Sequence, residues 1–579
     1  MTKMKLKRSF GLAILSVILT PGCTDSHAGL PLEFDVQLTE EAAFGIADLG
    51  LEVPVKGRVF VIITRDADSE PREQTGIMGV PIWGKDVHDL RGGDRVSFSH
   101  GDLSTRGYLL DEIGDIPPDE YTVQAFLNVY TTFHRADGHV LEMHLNSGAH
   151  QSLFRSPGNV YSVPSRVYLD PNSDETVEIT LSEVIPPSRP LREGEVLQQG
   201  LYDDTDWVKY VKIKSETVSE FWGHDMYIGA NILLPRGYAD NPNKRYPVLY
   251  MQGHSSGFTP VPYAPAPWFK AGFTTDNPGI DNQLDGFYEA WTSGTLPEMI
   301  VVTFRDANPF FDTSYSVNTA NLGPYGDAIM DELIPYIEEN FRIIREPWAR
   351  ALAGRSTGGW EALAMMVWYP DFFGGTWVWA PDPIDFRKYT QMNIYEDANA
   401  FYREYAWLRT ERPRRRDIDG LPRFTIRNAF HYDQTVGDKG RSGGQLAAWE
   451  ALYSPVGDDG YPAPLWDPET GAIDREVASY WGDNYDIAKK LKDNWSTLGP
   501  KLRGKLHFAV GITDNSYLNE GVHMIQEFLE STTDPPAEAT FEYGWRGHHS
   551  WIGHSPVEPE RQMTYAEFIQ VLADYMQQR

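Results

Sequence analysis

Cysteine occurs once in these 579 residues, at position 23, so no disulfide can form within the chain. Positive charge is also short. Against 82 aspartates and glutamates stand 51 lysines and arginines, a formal net charge of −31. So acidic a surface repels nucleic acid and anionic lipid faces, which disfavours both as partners, and it favours solubility. No apolar run is long enough to span a bilayer. A repeat of four-stranded blades is missing as well, which argues against a propeller-bearing peptidase. His134, His139, His144 and His150 lie close in sequence, but their spacing matches no usual zinc pattern and no cysteine joins them. They are expected to be surface or hairpin histidines, with no metal in the protein.

What the chain does have is enough apolar residue, 41% with 13% aromatic, to build more than one core at this length. At the start, Lys3, Lys5, Lys7 and Arg8 precede an apolar run from Phe10 to Leu19 and then Thr20-Pro21-Gly22-Cys23. A basic segment, a short apolar segment and small residues describe a secretory signal. Its ending resembles the lipobox of bacterial lipoproteins, with Thr20 where leucine is usual. That resemblance makes residues 1–22 a signal peptide and Cys23 the lipid attachment site of a secreted protein anchored in the bacterial envelope.

Residues 33–184 read as β-structure. Arg58–Thr64, Tyr121–Tyr130 and Thr176–Leu181 carry the β-branched and alternating patterns of strands, with turn clusters at 91–94, 116–119 and 170–173. This predicts an all-β sandwich, immunoglobulin-like, with a positioning or glycan-contacting role. The proline-rich segment 185–190 marks a boundary. From 205 to 579 strands alternate with helices: strands near 207–214, 226–234, 246–251, 299–304, 504–511 and 539–543, and helices at 325–341, 519–529 and 565–576. That alternation predicts a mostly parallel α/β sheet. Residues 384–490 interrupt it and are read as an insertion covering the substrate. Within it, the arginines between Arg409 and Arg416 are expected to face solvent and pair with the protein's own carboxylates. Gripping a substrate carboxylate is the other reading.

The alternation is organised around Gly354-Arg355-Ser356-Thr357-Gly358. A strand running straight into a helix through G-x-S-x-G is a nucleophile elbow, because side chains at 354 and 358 would collide in so sharp a turn. Ser356 is thus the candidate nucleophile, and the Thr357 N–H at the helix start faces the place where an oxyanion would form. Asp514 and His549 follow later strands in the order Ser, Asp, His. Imidazole is the base suited to serine near neutral pH, and a carboxylate holds its tautomer. Asp483 and Glu520 are rival acids, and His548 and His554 rival bases. The second oxyanion N–H is expected from His254 or a neighbour.

The elbow with Gly358-Gly359, Gly511-x-x-Asp514 and Gly547-x-His549-x-Trp551 together resemble the putative-esterase family of α/β-hydrolases. Enterochelin esterases, feruloyl and acetyl xylan esterases and S-formylglutathione hydrolase are its members. Tyr246–Tyr250 and Tyr325–Pro335 are similar to its first core strand and the helix before the elbow. The resemblance implies an α/β-hydrolase fold, a Ser356–His549–Asp514 triad, an oxyanion hole of Thr357 and His254, and a carboxylic ester as substrate without any cofactor. It implies as substrate a small molecule or oligosaccharide, such as an acyl or feruloyl decoration or a siderophore-type ester. Here Gln252-Gly253 stands where the family often has His-Gly. The alternatives are an acyltransferase using the same triad and a non-catalytic surface glycan-binding protein.

Overall fold

The computed structural model describes residues 32–147, 152–254 and 286–579. The signal peptide, Cys23 and His150 lie outside the described residues.

The N-terminal region is rich in sheet, with strands at 55–64, 119–134 and 176–184 covering the three predicted ones. Ten strands form one hydrogen-bonded network rather than two separate ladders. The long strand Asp119–His134 joins them, pairing with residues 55–64, 140–144, 160–162 and 165–169. Phe34, Val36 and Leu38 share one buried cluster with Val59, Val61 and Ile63 from a distant strand, so the sheet curls over its own core. The first strand, Glu33–Leu38, runs parallel to Thr176–Val184. His134 and His139 flank the hairpin at 134–140 as expected, but His144 is half-buried and burial pushes its imidazole down to about 4.

The second region is an eight-stranded sheet. Its strands are β1 (Val208–Ser215), β2 (Met226–Leu233), β3 (Val248–Gln252), β4 (Ile300–Arg305), β5 (Arg350–Arg355), β6 (Gly375–Trp379), β7 (Leu506–Gly511) and β8 (Thr540–Gly544). They lie in the order β1-β2-β4-β3-β5-β6-β7-β8. The first two are antiparallel to their neighbours, and from β4 to β8 every pair is parallel. Period-two alternation divides the buried side chains between two cores. Val248, Tyr250, Leu352 and Val378 meet the helices at 334–340 and 357–368 on one face. Leu249, Met251, Ala351, Ala353 and Trp379 meet Phe568, Ile569 and Leu572 of the C-terminal helix, Tyr565–Gln577, on the other. The helix expected at 325–341 forms with a π-helical segment at Ala328–Leu333. The strand β6 was not among those predicted.

Residues 384–490 contain two hairpins (402–411 and 413–425) and helices at Ile426–Gly437, Gln445–Tyr453 and Arg475–Tyr485. They pack on the N-terminal region. Arg58 Nε donates to the Thr435 carbonyl (2.9 Å), Thr435 Oγ1 to the Gly107 carbonyl (3.1 Å), and the Tyr108 ring meets Tyr432 edge-on.

Candidate functional site

The ends of the parallel strands deliver the candidate residues to one edge of the sheet, as parallel topology requires. Ser356 follows β5 directly, with φ of +59°. The close approach there needs glycine on both sides: a Cβ on Gly354 would stand 2.1 Å from the Gly358 carbonyl oxygen, and one on Gly358 2.1 Å from that of Gln252. The elbow is stitched to the end of β6, since the Ser356 N–H donates to the Trp379 carbonyl (3.0 Å) and the Asp382 N–H to that of Ser356 (3.0 Å).

Asp514, three residues beyond β7, is fully buried. Its Oδ2 lies 2.7 Å from His549 Nδ1, and its Oδ1 accepts from the Ser516 and Leu518 N–H groups at 2.8 and 3.1 Å. Burial pushes this carboxyl up, but the charge and hydrogen bond of His549 and the two N–H groups outweigh it and hold it below the ordinary carboxylate range. The loop carrying His549 is fixed as well: the Thr513 N–H donates to the Gly547 carbonyl (3.1 Å) and the His549 N–H to Asn515 Oδ1 (3.2 Å). Rival residues are engaged elsewhere. Asp483 pairs with Lys489 (3.4 Å) and Glu520 with Lys388 (3.4 Å), while the Nδ1 atoms of His548 and His554 bond to Ser550 Oγ (2.9 Å) and the Pro559 carbonyl (2.8 Å).

Ser356, His549 and His254 all line one cavity of about 560 Å³, behind which Asp514 is buried. The His254 Nδ1 sits 3.2 Å from Asp312 Oδ1. Burial lowers this imidazole, but the neighbouring Asp312 raises it by more, so it stands above its ordinary value. Among the described residues no cluster of histidine, cysteine or carboxylate side chains could hold a metal ion.

One residue of the site escaped the sequence. Asp382, three residues past β6 and 2% exposed, accepts from Ser356 Oγ at 3.3 Å. Its other oxygen accepts from Tyr315 OH (2.8 Å), Thr357 Oγ1 (3.0 Å) and Trp449 Nε1 (3.0 Å). A strand read at 375–379 would have put Asp382 beside the elbow, since residues just past neighbouring parallel strands adjoin.

The insertion roofs the cavity through Arg414, Arg415, Phe424 and Trp449, and the N-terminal region adds Ile77. It also braces the acid: Arg416 Nε donates to the Asp514 carbonyl at 2.9 Å.

Residues 222–500 match the family model described as "Putative esterase". The match ends before Asp514 and His549, which the geometry alone joins to the elbow. Over 149 residues the chain is 33% identical to an endo-1,4-beta-xylanase/feruloyl esterase of Xylanibacter ruminicola, covering 25% of this chain and 18% of that protein. Over 153 residues it is 29% identical to the uncharacterized protein YbbA of Bacillus subtilis, covering 25% of this chain and 52% of the other. The matches thus span about half or less of these curated relatives. A solved ferulic acid esterase is similar at 16% identity and a TM-score of 0.34, over 64% of this chain and 98% of that one.

Proposed function

We propose that this chain, whose residues 222–500 match the Putative esterase family model, is a serine hydrolase of carboxylic esters. The observation that supports this most is that Ser356, on its left-handed elbow, and His549 line one cavity, the imidazole bonded to buried Asp514 at 2.7 Å. In this reading Ser356 Oγ attacks the ester carbonyl while His549 Nε2 takes its proton. The N–H groups of Thr357 and His254 receive the tetrahedral oxyanion. As the C–O bond breaks, His549 returns the proton to the leaving alcohol and an acyl-Ser356 ester remains. Water then attacks that ester, its proton passing through His549 to Ser356, and the carboxylic acid leaves.

The preferred substrate in this reading is an acyl or feruloyl ester of a carbohydrate. The feruloyl esterase name of one relative supports it, and so does a cavity lined by Trp449, Tyr432 and Phe424. The protein acts outside the cell, held by lipid on Cys23. Hydrolysis of short-chain p-nitrophenyl esters and methyl ferulate tests the proposal. The wild type is expected to turn over and Ser356→Ala to fall by about four orders of magnitude or more. Equal rates for the two would sink the assignment of Ser356.

A further inference from the structure

The cavity wall holds cations that the rest of this acidic protein would be expected to neutralise. In the arginine-rich run, Arg409 sits 3.8 Å from Glu404 and Arg412 3.0 Å from Asp397, while Arg416 donates to the Asp514 carbonyl and Asn519 Oδ1. Of these, Arg409 both faces solvent and pairs with a carboxylate, Arg412 pairs but is buried, and Arg416 bonds a carbonyl and an amide oxygen instead of a carboxylate. Arg414, which is buried, and Arg415, which is exposed, pair with no carboxylate: both line the cavity, and among the described residues neither side chain forms an ion pair or hydrogen bond. Arg355, the elbow residue before Ser356, lines the same cavity. One Nη1 of Arg355 and one of Arg414 are buried without any partner. Arg414 is only 8% exposed and is held with its guanidinium 5.0 Å from the Trp449 ring centroid.

An unpaired buried guanidinium costs stability, because nothing replaces the water it has lost. The carboxylates in the wall do not remove that cost. Asp382 and Asp514 attract the Arg414 guanidinium through space but neither hydrogen-bonds it, and burial pushes Asp433 up to about 7, so much of its charge is missing near neutrality. In a chain with a net charge of −31, a positive wall around the nucleophile selects for an anion. The planar fork of a guanidinium matches a carboxylate in shape and donors.

We infer that the ester this site cleaves carries a carboxylate, received by Arg355, Arg414 and Arg415 beside Ser356. The inference rests on the ester-hydrolase reading and narrows its substrate class to acidic esters. The carboxylate could belong to the acyl part, as in a dicarboxylic acid hemiester, or to the alcohol part, as in an O-acylated uronic acid.

Two pairs of substrates separate these sources. The acyl arm compares p-nitrophenyl hemiglutarate with p-nitrophenyl butyrate, and the alcohol arm compares O-acetylated methyl glucuronoside with O-acetylated methyl glucoside. In one arm the wild type is expected to favour the acidic ester in kcat/KM. That ratio should fall about ten-fold or more in Arg415→Gln and Arg414→Gln, as loss of a charge-assisted pair predicts. Arg415→Lys, which keeps charge without the fork, should fall between. Added salt should lower the preference. Ratios in both arms that are the same in wild type and variants would overturn the inference while leaving ester hydrolysis intact. If no ester is cleaved at all, the hydrolase reading fails, and calorimetric titration with glutarate and methyl glucuronoside decides the anion site separately. Saturable binding weakened ten-fold by Arg415→Gln upholds it, and no binding to either overturns it.

Discussion

Ser356 keeps its left-handed backbone because two neighbouring glycines leave room for the chain to cross itself. With carbonyl oxygens 2.1 Å from where each Cβ would lie, Gly354→Ala or Gly358→Ala forces backbone to move. Either should destabilise the protein by about 3 kcal/mol or more, read from denaturant unfolding; a loss under about 1 kcal/mol would show that the elbow is looser than its geometry. Asp382 supplies the second residue-scale test. Its removal in Asp382→Ala takes the shared acceptor from Tyr315, Thr357 and Trp449. Trp449 Nε1 still reaches Tyr315 OH at 3.0 Å and Tyr315 OH lies 3.2 Å from Thr357 Oγ1, so the loss should be that of about one unsatisfied buried group, about 1–3 kcal/mol. Asp382→Asn keeps one acceptor oxygen and should lose less, and the order of the two unfolding midpoints checks this. Serine, aspartate and histidine were legible in the sequence because each sits in a glycine-marked turn. Asp382 was not, since Pro381-Asp382-Pro383 looks like any loop until the strand before it is recognised.

That strand, Gly375-Thr-Trp-Val-Trp379, is the element the sequence concealed. Buried on both faces and five residues long, it has no polar alternation to show its period, and it merges with the aromatic pair Phe372-Phe373 before it. The other core strands were readable within a residue or two because turn residues bound them. The helices of the insertion were not resolved from sequence, and their burial has a consequence. Glu450, in the helix Gln445–Tyr453, is pushed up by burial to about 8, while its Oε1 accepts from the Leu465 N–H at 2.9 Å. The folded state therefore holds a proton that the unfolded chain gives up near its ordinary value. This group's stabilisation is complete below about pH 4, is lost progressively as pH rises toward 8, and then levels. Glu450→Gln, which never ionises and keeps the acceptor, should match the wild type at pH 4 and exceed it by up to roughly 4 kcal/mol at pH 8. Parallel stability curves across that range would show that Glu450 is solvated.

At the scale of the molecule, one carboxylate takes cations from both regions, beside the contacts that Thr435 and Tyr432 make between them. Asp86 of the N-terminal sheet receives Arg58 at 2.5 Å from its own region and Arg441 at 2.6 Å from the insertion that roofs the cavity. Both guanidiniums are under 5% exposed, so each depends on this partner, with Asp438 also near Arg441. Burial pushes Asp86 up, but Arg441 and Arg58 outweigh it and hold the carboxyl below its ordinary value. A group with a depressed folded value contributes its full stability above the unfolded value near 4 and loses it as pH falls through the folded one. Asp86→Asn keeps the shape and an acceptor but leaves two buried cations with less compensation, at a cost of about 3 kcal/mol. Unfolding measured at pH 7 should show that full gap, and at pH 2 the gap should narrow. Because Arg441 lies in the segment that carries Arg414, Arg415 and Trp449 over the nucleophile, the same variant should also raise KM for an ester substrate more than it lowers kcat. An Asp86→Asn protein with wild-type stability at pH 7 and an unchanged KM would mean that the N-terminal sheet merely leans on the insertion and does not hold it in place.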